Sequence, residues 1–295
     1  GSFAKQGTKT LGIDPASNIV RIAEKRGVET WDEFFSPKVA QKVVREKGNA
    51  SVITATNVFA HVDDLKSFME AVDDLLSKNG IFVFEAPYFG NLINFLEYDT
   101  IYHEHLSYLL LEPIINLAEK FEMEVSDVLE RDIHGGSFRV FISRAGERPI
   151  NERVGNFLEK EKAGKWNCPD VLNNFAQKVM KNRKELTSLL NSLKSNGKKV
   201  AAVSAPAKGM TLLNYCRLGE ETLDFVTEKS TLKIGRHCPG VHIPVLDDDA
   251  LLRHDIDYAL LLAWNFAEEI MNNLEEFRQK GGKFIIPIPQ PKILG

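Results

Sequence analysis

Short apolar runs alternate with longer segments of helical periodicity in the first half of the chain. Residues 10–13, 51–55 and 81–84 predict strands, and the last of these is apolar throughout. Helices are predicted over residues 16–26, from Pro37 with Ser36 as its cap, and over residues 63–77, where Asn79-Gly80 ends the helical pattern. Strands buried on both faces have continuous apolar runs. The pattern therefore predicts a parallel sheet covered by helices.

The second half of the chain follows the same alternation. A long helix is predicted over residues 170–195, followed by a strand at 199–204, a small-residue loop at 205–209 and a helix at 211–215. Further strands are predicted at 223–226, 244–246, 258–262 and 284–287, with a helix at 267–280 before the last of them. We interpret this half as a smaller doubly wound α/β domain. The predicted division is residues 1–150 and residues 151–295, with the boundary near residues 145–170.

Composition and charge narrow the class of protein. The chain has 295 residues, with 37 Lys and Arg against 41 Asp and Glu, which gives a net charge of −4. This balance argues against nucleic acid or an anionic membrane as partner. No apolar run approaches the roughly 20 residues that span a bilayer. The three cysteines form no CxxC pair, which argues against a disulfide framework or a structural zinc site. We expect a soluble cytoplasmic α/β protein.

Asp14 follows the first predicted strand directly and precedes a helix. A carboxylate at such a position can accept both hydroxyls of a ribose, as in dinucleotide and adenosyl-cofactor sites. The alternative is a simple helix cap, and both interpretations stay open. A Gly-rich turn is expected about 20 residues before such an acid. The chain has no such turn there, so we expect that the first strand and its loop are missing from this sequence.

Two further segments carry side chains suited to chemistry. His61 and Asn57 lie in residues 57–61, directly after a predicted strand, where open α/β sheets bind their ligands. An isolated histidine there is also compatible with a purely structural hydrogen bond. Tyr102, Glu104 and His105 lie in an aromatic-rich connection after the strand at 81–84. A histidine oriented by a carboxylate is a suitable general base, and a phenol can donate to an enolate oxygen.

The same connection leaves two other interpretations open. His103 and His105, together with Glu104, offer ligands for a metal hydrolase, but the HExxH spacing is not met. A half-buried polar cluster that holds a loop would have the same residue types. We predict no metal ion.

Candidate anion-binding groups lie further along the chain. His134 and Ser137 flank two glycines before a predicted strand, and Lys208 lies in the small-residue loop at 205–209. Backbone amides in such turns, with a hydroxyl or an ammonium, can bind an anionic substrate. An ordinary β-turn explains the first of these segments equally well.

Taken together, these motifs resemble the sugar C-methyltransferases, which use S-adenosylmethionine to methylate a ring carbon of a nucleotide-linked keto-deoxysugar. The resemblance covers essentially the whole chain. It is carried by the ordered set of segments at residues 57–61, 85–88, 102–108, 134–140 and 205–214. It implies a Rossmann-like class I methyltransferase core, truncated at its N-terminus, followed by a smaller doubly wound domain associated with the sugar nucleotide. The family's N-terminal zinc-binding domain has no counterpart in this sequence.

The resemblance also implies roles for individual residues. His105 would remove the proton α to the keto group, with Tyr102 near the enolate oxygen and Glu104 orienting His105. His61 would be a second active-site histidine. Asp14 and Asn57 would bind the cofactor, S-adenosylmethionine, and His134, Ser137 and Lys208 would bind the substrate.

Two further expectations follow from the missing segment. A chain that lacks the cofactor loop is compatible with a non-catalytic module that binds a nucleotide sugar or a protein partner. A truncated sheet also exposes an edge, so we expect that copies of the chain pair or aggregate through it.

Overall fold

The computed structural model describes residues 2–132 and 135–295, which form two compact units. The first unit contains the described residues up to Ala86, together with Leu109–Arg131 and Phe138–Lys160. The second contains Pro87–Tyr108, the described part of residues 132–137, and Glu161–Gly295. The predicted boundary between residues 150 and 151 stays a prediction.

The described helices and strands, numbered in chain order, are the following. The helices are α1 (Ser2–Lys5), α2 (Ser17–Lys25), α3 (Pro37–Lys47), α4 (Leu65–Leu75), α5 (Phe89–Phe95), α6 (Leu111–Glu119), α7 (Glu152–Gly164), α8 (Pro169–Ser195), α9 (Ala207–Cys216), α10 (Ala250–Arg253), α11 (Ala267–Asn273) and α12 (Glu275–Gln279). The strands are β1 (Leu11–Ile13), β2 (Glu29–Trp31), β3 (Ala50–Thr56), β4 (Leu76–Pro87), β5 (Met123–Arg131), β6 (Ser137–Arg144), β7 (Val200–Val203), β8 (Val226–Thr227), β9 (Val245–Leu246), β10 (Tyr258–Leu261), β11 (Lys283–Ile286) and β12 (Lys292–Leu294). Short 3-10 helices cover Phe59–His61, Tyr98–Thr100 and Trp264–Phe266.

The first unit contains a parallel pair, β1-β2, and a four-stranded sheet in the order β3-β4-β6-β5. Strands β3 and β4 are parallel, with Ala55 opposite Phe84. The aromatic positions of the predicted strand at 81–84 are fully buried and pack with the rings of Phe59 and Phe68. The pattern thus correctly identified β4, one of the two inner strands of the four-stranded sheet.

Local capping explains where the helices of the first unit begin. The Ser36 hydroxyl accepts the Val39 N–H at 3.4 Å, with Pro37 as the first helical residue, as predicted. The Asp64 carboxylate caps α4 by accepting the Ser67 N–H at 3.0 Å. The end of α4 differs from the prediction, because β4 begins at Leu76, directly after the helix, and continues through Asn79-Gly80. Gly80 packs so closely that an added Cβ would lie 2.7 Å from Leu76 Cδ1.

The second unit is built on one six-stranded sheet in the order β12-β11-β10-β7-β8-β9. Strands β9, β8, β7, β10 and β11 are parallel, and β12 pairs antiparallel with β11. Alternate residues of β7 face opposite sides. Val200 and Ala202 pack with Leu186 and Leu190 of α8, whereas Ala201 and Val203 belong to the cluster that contains Phe277. This is the doubly wound arrangement that the sequence predicts, and the predicted α/β class is confirmed.

Three details of the second unit differ from the sequence interpretation. Helix α9 begins at Ala207, so Lys208 and Gly209 lie in its first turn rather than in a loop. The helix predicted at 267–280 is divided into α11 and α12 at Leu274. Strand β12 is not predicted, because its sequence, Lys292–Leu294, is short and lies at an exposed sheet edge.

The predicted pairing of copies through an exposed edge stays a prediction. No helix in residues 2–132 and 135–295 combines the length and the apolar character needed to cross a membrane.

Candidate active site

Asp14 lies at the carboxyl end of β1, next to the start of α2. Its backbone N–H donates to the Trp31 carbonyl at 3.1 Å, and its Oδ1 accepts the Ala16 N–H at 2.8 Å. The side chain is half-buried at the edge of the parallel β1-β2 pair. A carboxylate held through one oxygen at this edge fits the hydroxyl groups of a ribose. Capping and ribose binding are therefore compatible uses of the same side chain.

Asn57 and His61 both follow β3, the first strand of the four-stranded sheet in the first unit. Asn57 has a positive φ of 54° and donates its N–H to the Glu85 carbonyl at 2.9 Å. His61 is the last residue of the 3-10 helix Phe59–His61 and is half-buried. Glu85 itself is only 4% exposed, and its Oε2 accepts Arg139 Nη2 at 2.8 Å. The first unit therefore presents Asn57 and His61 directly after β3, as the sequence predicts.

The segment from Tyr98 to His105 lies in the second unit and carries the candidate base. After the 3-10 helix Tyr98–Thr100, the chain turns so that the His105 N–H donates to the Tyr102 carbonyl at 3.0 Å. His105 Nδ1 lies 2.7 Å from the Thr100 carbonyl oxygen, and His105 Nε2 lies 3.4 Å from the Tyr102 hydroxyl. The structure therefore brings Tyr102 and His105 together within one short segment.

The Thr100 carbonyl determines the tautomer of His105. A carbonyl oxygen can only accept, so Nδ1 carries the hydrogen and Nε2 of the neutral ring has the lone pair. The structure thus places a backbone carbonyl at Nδ1, where the sequence analysis expects Glu104 as the orienting group. Glu104 itself is exposed. Burial raises the pKa of Tyr102, and the neighbouring charge of Glu104 raises it further. Tyr102 is accordingly a protonated hydrogen-bond donor at neutral pH.

A buried charged cluster lies next to this segment and is not identified by the sequence analysis. Trp264 Nε1 donates to Asp99 Oδ2 at 2.7 Å, and Lys208 Nζ lies 3.7 Å from the same oxygen. The Lys208 ammonium also lies 4.3 Å from the centroid of the Trp264 ring. Burial raises the pKa of Glu97 to about 8, an effect that Lys208 opposes and Asp99 reinforces. The sequence offers only a weak signal for this cluster: Glu97 and Asp99 lie a few residues before the candidate residues Tyr102 and His105.

This cluster lies at the switch point of the second sheet. Lys208 is in the first turn of α9, which follows β7, and Trp264 is in the 3-10 helix that follows β10. After β7 the chain continues into β8 on one side of β7, whereas β10 lies on its other side. Chain connections diverge at such a point and leave a crevice outside the carboxyl ends of the strands, where α/β proteins bind ligands. The cluster therefore occupies a position suited to function.

The predicted substrate-binding residues have different environments. Lys208 has a carboxylate partner within the protein, Asp99, whereas the sequence predicts an anionic ligand there. Ser137 begins β6 and has no exposed surface. His134 lies outside the described residues. The roles of all three in substrate binding stay predictions.

The metal-hydrolase interpretation finds no ligand set in the structure. Within residues 2–132 and 135–295, no group of three or more His, Cys, Asp or Glu side chains has an arrangement that would hold a metal ion. His105 instead uses both ring nitrogens in contacts with Thr100 and Tyr102.

Comparisons with known proteins agree with these observations. Residues 132–289 match the family model of the C-methyltransferase C-terminal domain, and residues 2–128 match that of a methyltransferase domain. The C-methyltransferase NovU from Streptomyces niveus is 35% identical over 293 residues, which is 99% of this chain and 70% of NovU. The chain belongs to the C-methyltransferase family.

Solved methyltransferase structures resemble about half of this C-methyltransferase. A methyltransferase dependent on S-adenosylmethionine from Anabaena variabilis is 18% identical, with 48% of this chain and 71% of that chain covered and a TM-score of 0.39. A possible histamine N-methyltransferase from Thermotoga maritima is 16% identical, with 46% and 72% covered and a TM-score of 0.36. These values are too low to bear on substrate or mechanism.

Membership of the family defines the class of activity. The C-methyltransferase is an enzyme that uses S-adenosylmethionine as its methyl donor. The family match favours this activity over the non-catalytic binding module. Asp14, at the carboxyl end of β1, and Asn57, after β3, both lie in the first unit, and their binding of the cofactor stays a prediction.

Proposed function

We propose that this C-methyltransferase acts in the cytoplasm and methylates a ring carbon adjacent to the keto group of a nucleotide-linked deoxysugar. The observation that carries the proposal is the pair of contacts made by the His105 ring. Nδ1 lies 2.7 Å from the Thr100 carbonyl oxygen, and Nε2 lies 3.4 Å from the Tyr102 hydroxyl. One ring nitrogen is thereby held as a donor, and the other has a lone pair for a proton.

A carbon next to a ketone is a nucleophile only after it has lost a proton. In the proposed reaction, His105 Nε2 takes the α-proton, and the ring becomes an imidazolium whose Nδ1–H stays on the Thr100 carbonyl. The electron pair of the broken C–H bond moves into the enolate. Tyr102 stays protonated because burial raises its pKa, and its hydroxyl donates to the Nε2 lone pair of the neutral ring. Once Nε2 has taken the α-proton it no longer accepts, so the Tyr102 hydroxyl is released to donate to the enolate oxygen. In this proposal Glu104 assists His105, and His61 is a second active-site histidine.

The remaining predicted residues bind rather than react. Asp14 accepts hydroxyl hydrogens of the cofactor's ribose, and Asn57 contacts the cofactor close to the end of β3. When bound, S-adenosylmethionine supplies an electrophilic methyl group. His134, Ser137 and Lys208 are proposed to bind the nucleotide-linked sugar.

Proton abstraction can be measured separately from methylation. The protein is incubated in D2O with a panel of nucleoside-diphosphate-linked keto-deoxyhexoses, without methyl donor, and loss of the α-proton signal is followed by NMR. We expect exchange for at least one sugar, and His105→Gln should reduce its rate by about 10²-fold or more. His254→Gln is the control, because His254 is an exposed histidine of the same unit whose ring lies 5.3 Å from the Phe225 ring.

Methyl transfer is then measured by mass spectrometry with S-adenosylmethionine carrying a deuterated methyl group. We expect the labelled methyl on the sugar that exchanges. Exchange and methylation that persist in His105→Gln would contradict the role of His105. Absence of methylation on every keto-sugar of the panel, with methylation of a substrate that has no acidic C–H, would contradict the substrate class.

A further inference from the structure

Three side chains from separate elements of the second unit meet around the carboxylate of Asp99. Asp99 lies in the 3-10 helix Tyr98–Thr100, Lys208 in α9, and Trp264 in the 3-10 helix after β10. Asp99 has no exposed surface, and its Oδ2 accepts the Trp264 indole N–H at 2.7 Å. Lys208 Nζ lies 3.7 Å from that oxygen and 4.3 Å from the centroid of the Trp264 ring. The carboxylate is therefore fixed from two directions.

This arrangement is costly for stability alone. A carboxylate and an ammonium lose their hydration when they are buried, and apolar side chains of similar volume often stabilise a fold as well or better. Asp99 Oδ1 and Lys208 Nζ are buried and have no hydrogen-bond partner within the described part of the chain. Such a cluster fixes the position of the segment Tyr98–Thr100. This segment leads directly to the candidate base, His105.

A single residue, Thr100, links Asp99 to the ring of His105. Thr100 follows Asp99, and its carbonyl oxygen lies 2.7 Å from His105 Nδ1. The Thr100 N–H and hydroxyl both donate to the Glu97 carbonyl, at 3.1 and 2.7 Å. On the other side of Asp99, the Tyr98 hydroxyl donates to Asn182 Oδ1 at 2.8 Å. The peptide that presents the Thr100 carbonyl is thus held by the side chains of the two residues before it.

We propose that Asp99, fixed by Trp264 and Lys208, is a positioning residue for the reaction: it holds the Thr100 carbonyl in the place that selects the Nδ1–H tautomer of His105. This inference rests on the proposed function for its link to catalysis. Its structural part, the tautomer and orientation of His105, stands independently of the substrate. Trp264 acts only through Asp99, and the contact of Lys208 with Asp99 is separate from its proposed role in binding the sugar.

The first test measures the tautomer of His105 directly. Long-range 1H–15N correlation spectra of the full chain, with 15N in the histidine rings, distinguish the two neutral tautomers, and His105→Gln assigns the signals. We expect His105 to have the Nδ1–H form in the wild-type protein. Trp264→Phe keeps a ring beside Lys208 but removes the N–H, so it should give a mixture of tautomers. Trp166→Phe is the matched control, since the Trp166 indole N–H donates to Asn94 Oδ1 at 3.2 Å and has no link to Asp99.

The second test measures turnover of the same variants on the sugar found in the exchange assay. Trp264→Phe and Asp99→Asn should lower kcat by about 10²-fold with KM changed by less than about three-fold, because the base is misplaced and binding is not. Thermal melting identifies which variants are folded, and Trp264→Phe is the milder of the two. A folded Trp264→Phe protein that keeps the wild-type tautomer would overturn the inference, whether or not kcat falls. If no sugar is methylated but the tautomer responds as expected, the proposed function fails and the positioning of His105 by Asp99 stands.

Discussion

Glu97 provides a sharp test of the electrostatics of the second unit. Its carboxyl group is only 3% exposed, and Oε1 has no hydrogen-bond partner within the described residues. Burial raises its pKa from the ordinary value of 4.5 to about 8, with Lys208 opposing the rise and Asp99 adding to it. The folded protein therefore keeps a proton on Glu97 at pH 7 that the unfolded chain releases. Replacing Glu97 by Gln retains the shape of the protonated group and removes its titration.

The direction of the effect follows from proton linkage. Below about pH 4.5 both states hold the proton, and the contribution to stability is complete. As the pH rises from 4.5 to 8, only the folded state holds it, so the free energy of unfolding decreases by about 1.4 kcal/mol for each pH unit. The full loss amounts to about 5 kcal/mol at pH 8 and above. The Glu97→Gln protein lacks this loss, so it should gain stability relative to the wild type as the pH rises.

The assay must report on the second unit alone. Trp31 belongs to the first unit, whereas Trp166 and Trp264 belong to the second. In a Trp31→Phe background, tryptophan fluorescence during urea unfolding therefore follows only the second unit. Free energies of unfolding are compared at pH 5, 6, 7 and 8, with and without Glu97→Gln. Comparison at each pH cancels the titration of groups that the two proteins share.

An equal pH dependence of the free energy of unfolding in the two proteins would refute the raised pKa of Glu97. If the difference in free energy of unfolding between the two proteins stays constant within about 0.5 kcal/mol from pH 5 to pH 8, Glu97 titrates normally in the folded state. A difference that grows in favour of Glu97→Gln is the expected result. Adding Asp99→Asn should reduce that growth, because Asp99 contributes to the raised pKa of Glu97.

Three further predictions concern single contacts. Ser36→Ala removes the cap of α3 and should lower the free energy of unfolding by about 1 kcal/mol in urea titrations, and an unchanged midpoint would show that the cap contributes nothing. Arg139→Met leaves the buried Glu85 carboxylate unpaired and should cost about 2 kcal/mol, less than for a fully buried pair since the Arg139 side chain is 36% exposed; Glu85→Gln in the same protein should recover part of the loss. Tyr102→Phe should lower kcat for methyl transfer by about 10²-fold without moving the His105 tautomer, and wild-type turnover would exclude Tyr102 as the enolate donor.

Local signals in the sequence predicted the parts of the fold that depend on local physics. Ser36 and Pro37 mark the start of α3, because a hydroxyl and a missing N–H suit the first helical turn. The prediction from Asn79-Gly80 is wrong for a physical reason. The pair is typical of turns, but here tight packing against Leu76 requires a glycine inside a strand. Residues 205–209 are predicted as a loop, but Pro206 is the cap residue of α9 and the helix begins at Ala207.

The candidate site was only partly accessible from the sequence. Tyr102 and His105 lie three residues apart, so their pairing in one segment is a local matter. Asp99 and Trp264 are separated by 165 residues, and no local pattern indicates that a carboxylate will become buried against a distant indole. The sequence favours Glu104 as the group that orients His105, because a carboxylate is a recognisable side chain. In the structure the backbone carbonyl of Thr100 makes this contact. Every residue has such a carbonyl, so the sequence contains no signal for it.

The bond between His105 Nδ1 and the Thr100 carbonyl has a consequence for isotope experiments. A ring with one nitrogen committed to a carbonyl carries a single exchangeable position towards the substrate, Nε2. In the proposed reaction, the proton taken from carbon stays on that nitrogen until it is lost to solvent or given back. Return to the same carbon would compete with exchange into solvent, so deuterium incorporation from D2O would measure only those events in which the proton escapes. Under this proposal the rate of carbon deprotonation exceeds the measured rate of solvent exchange.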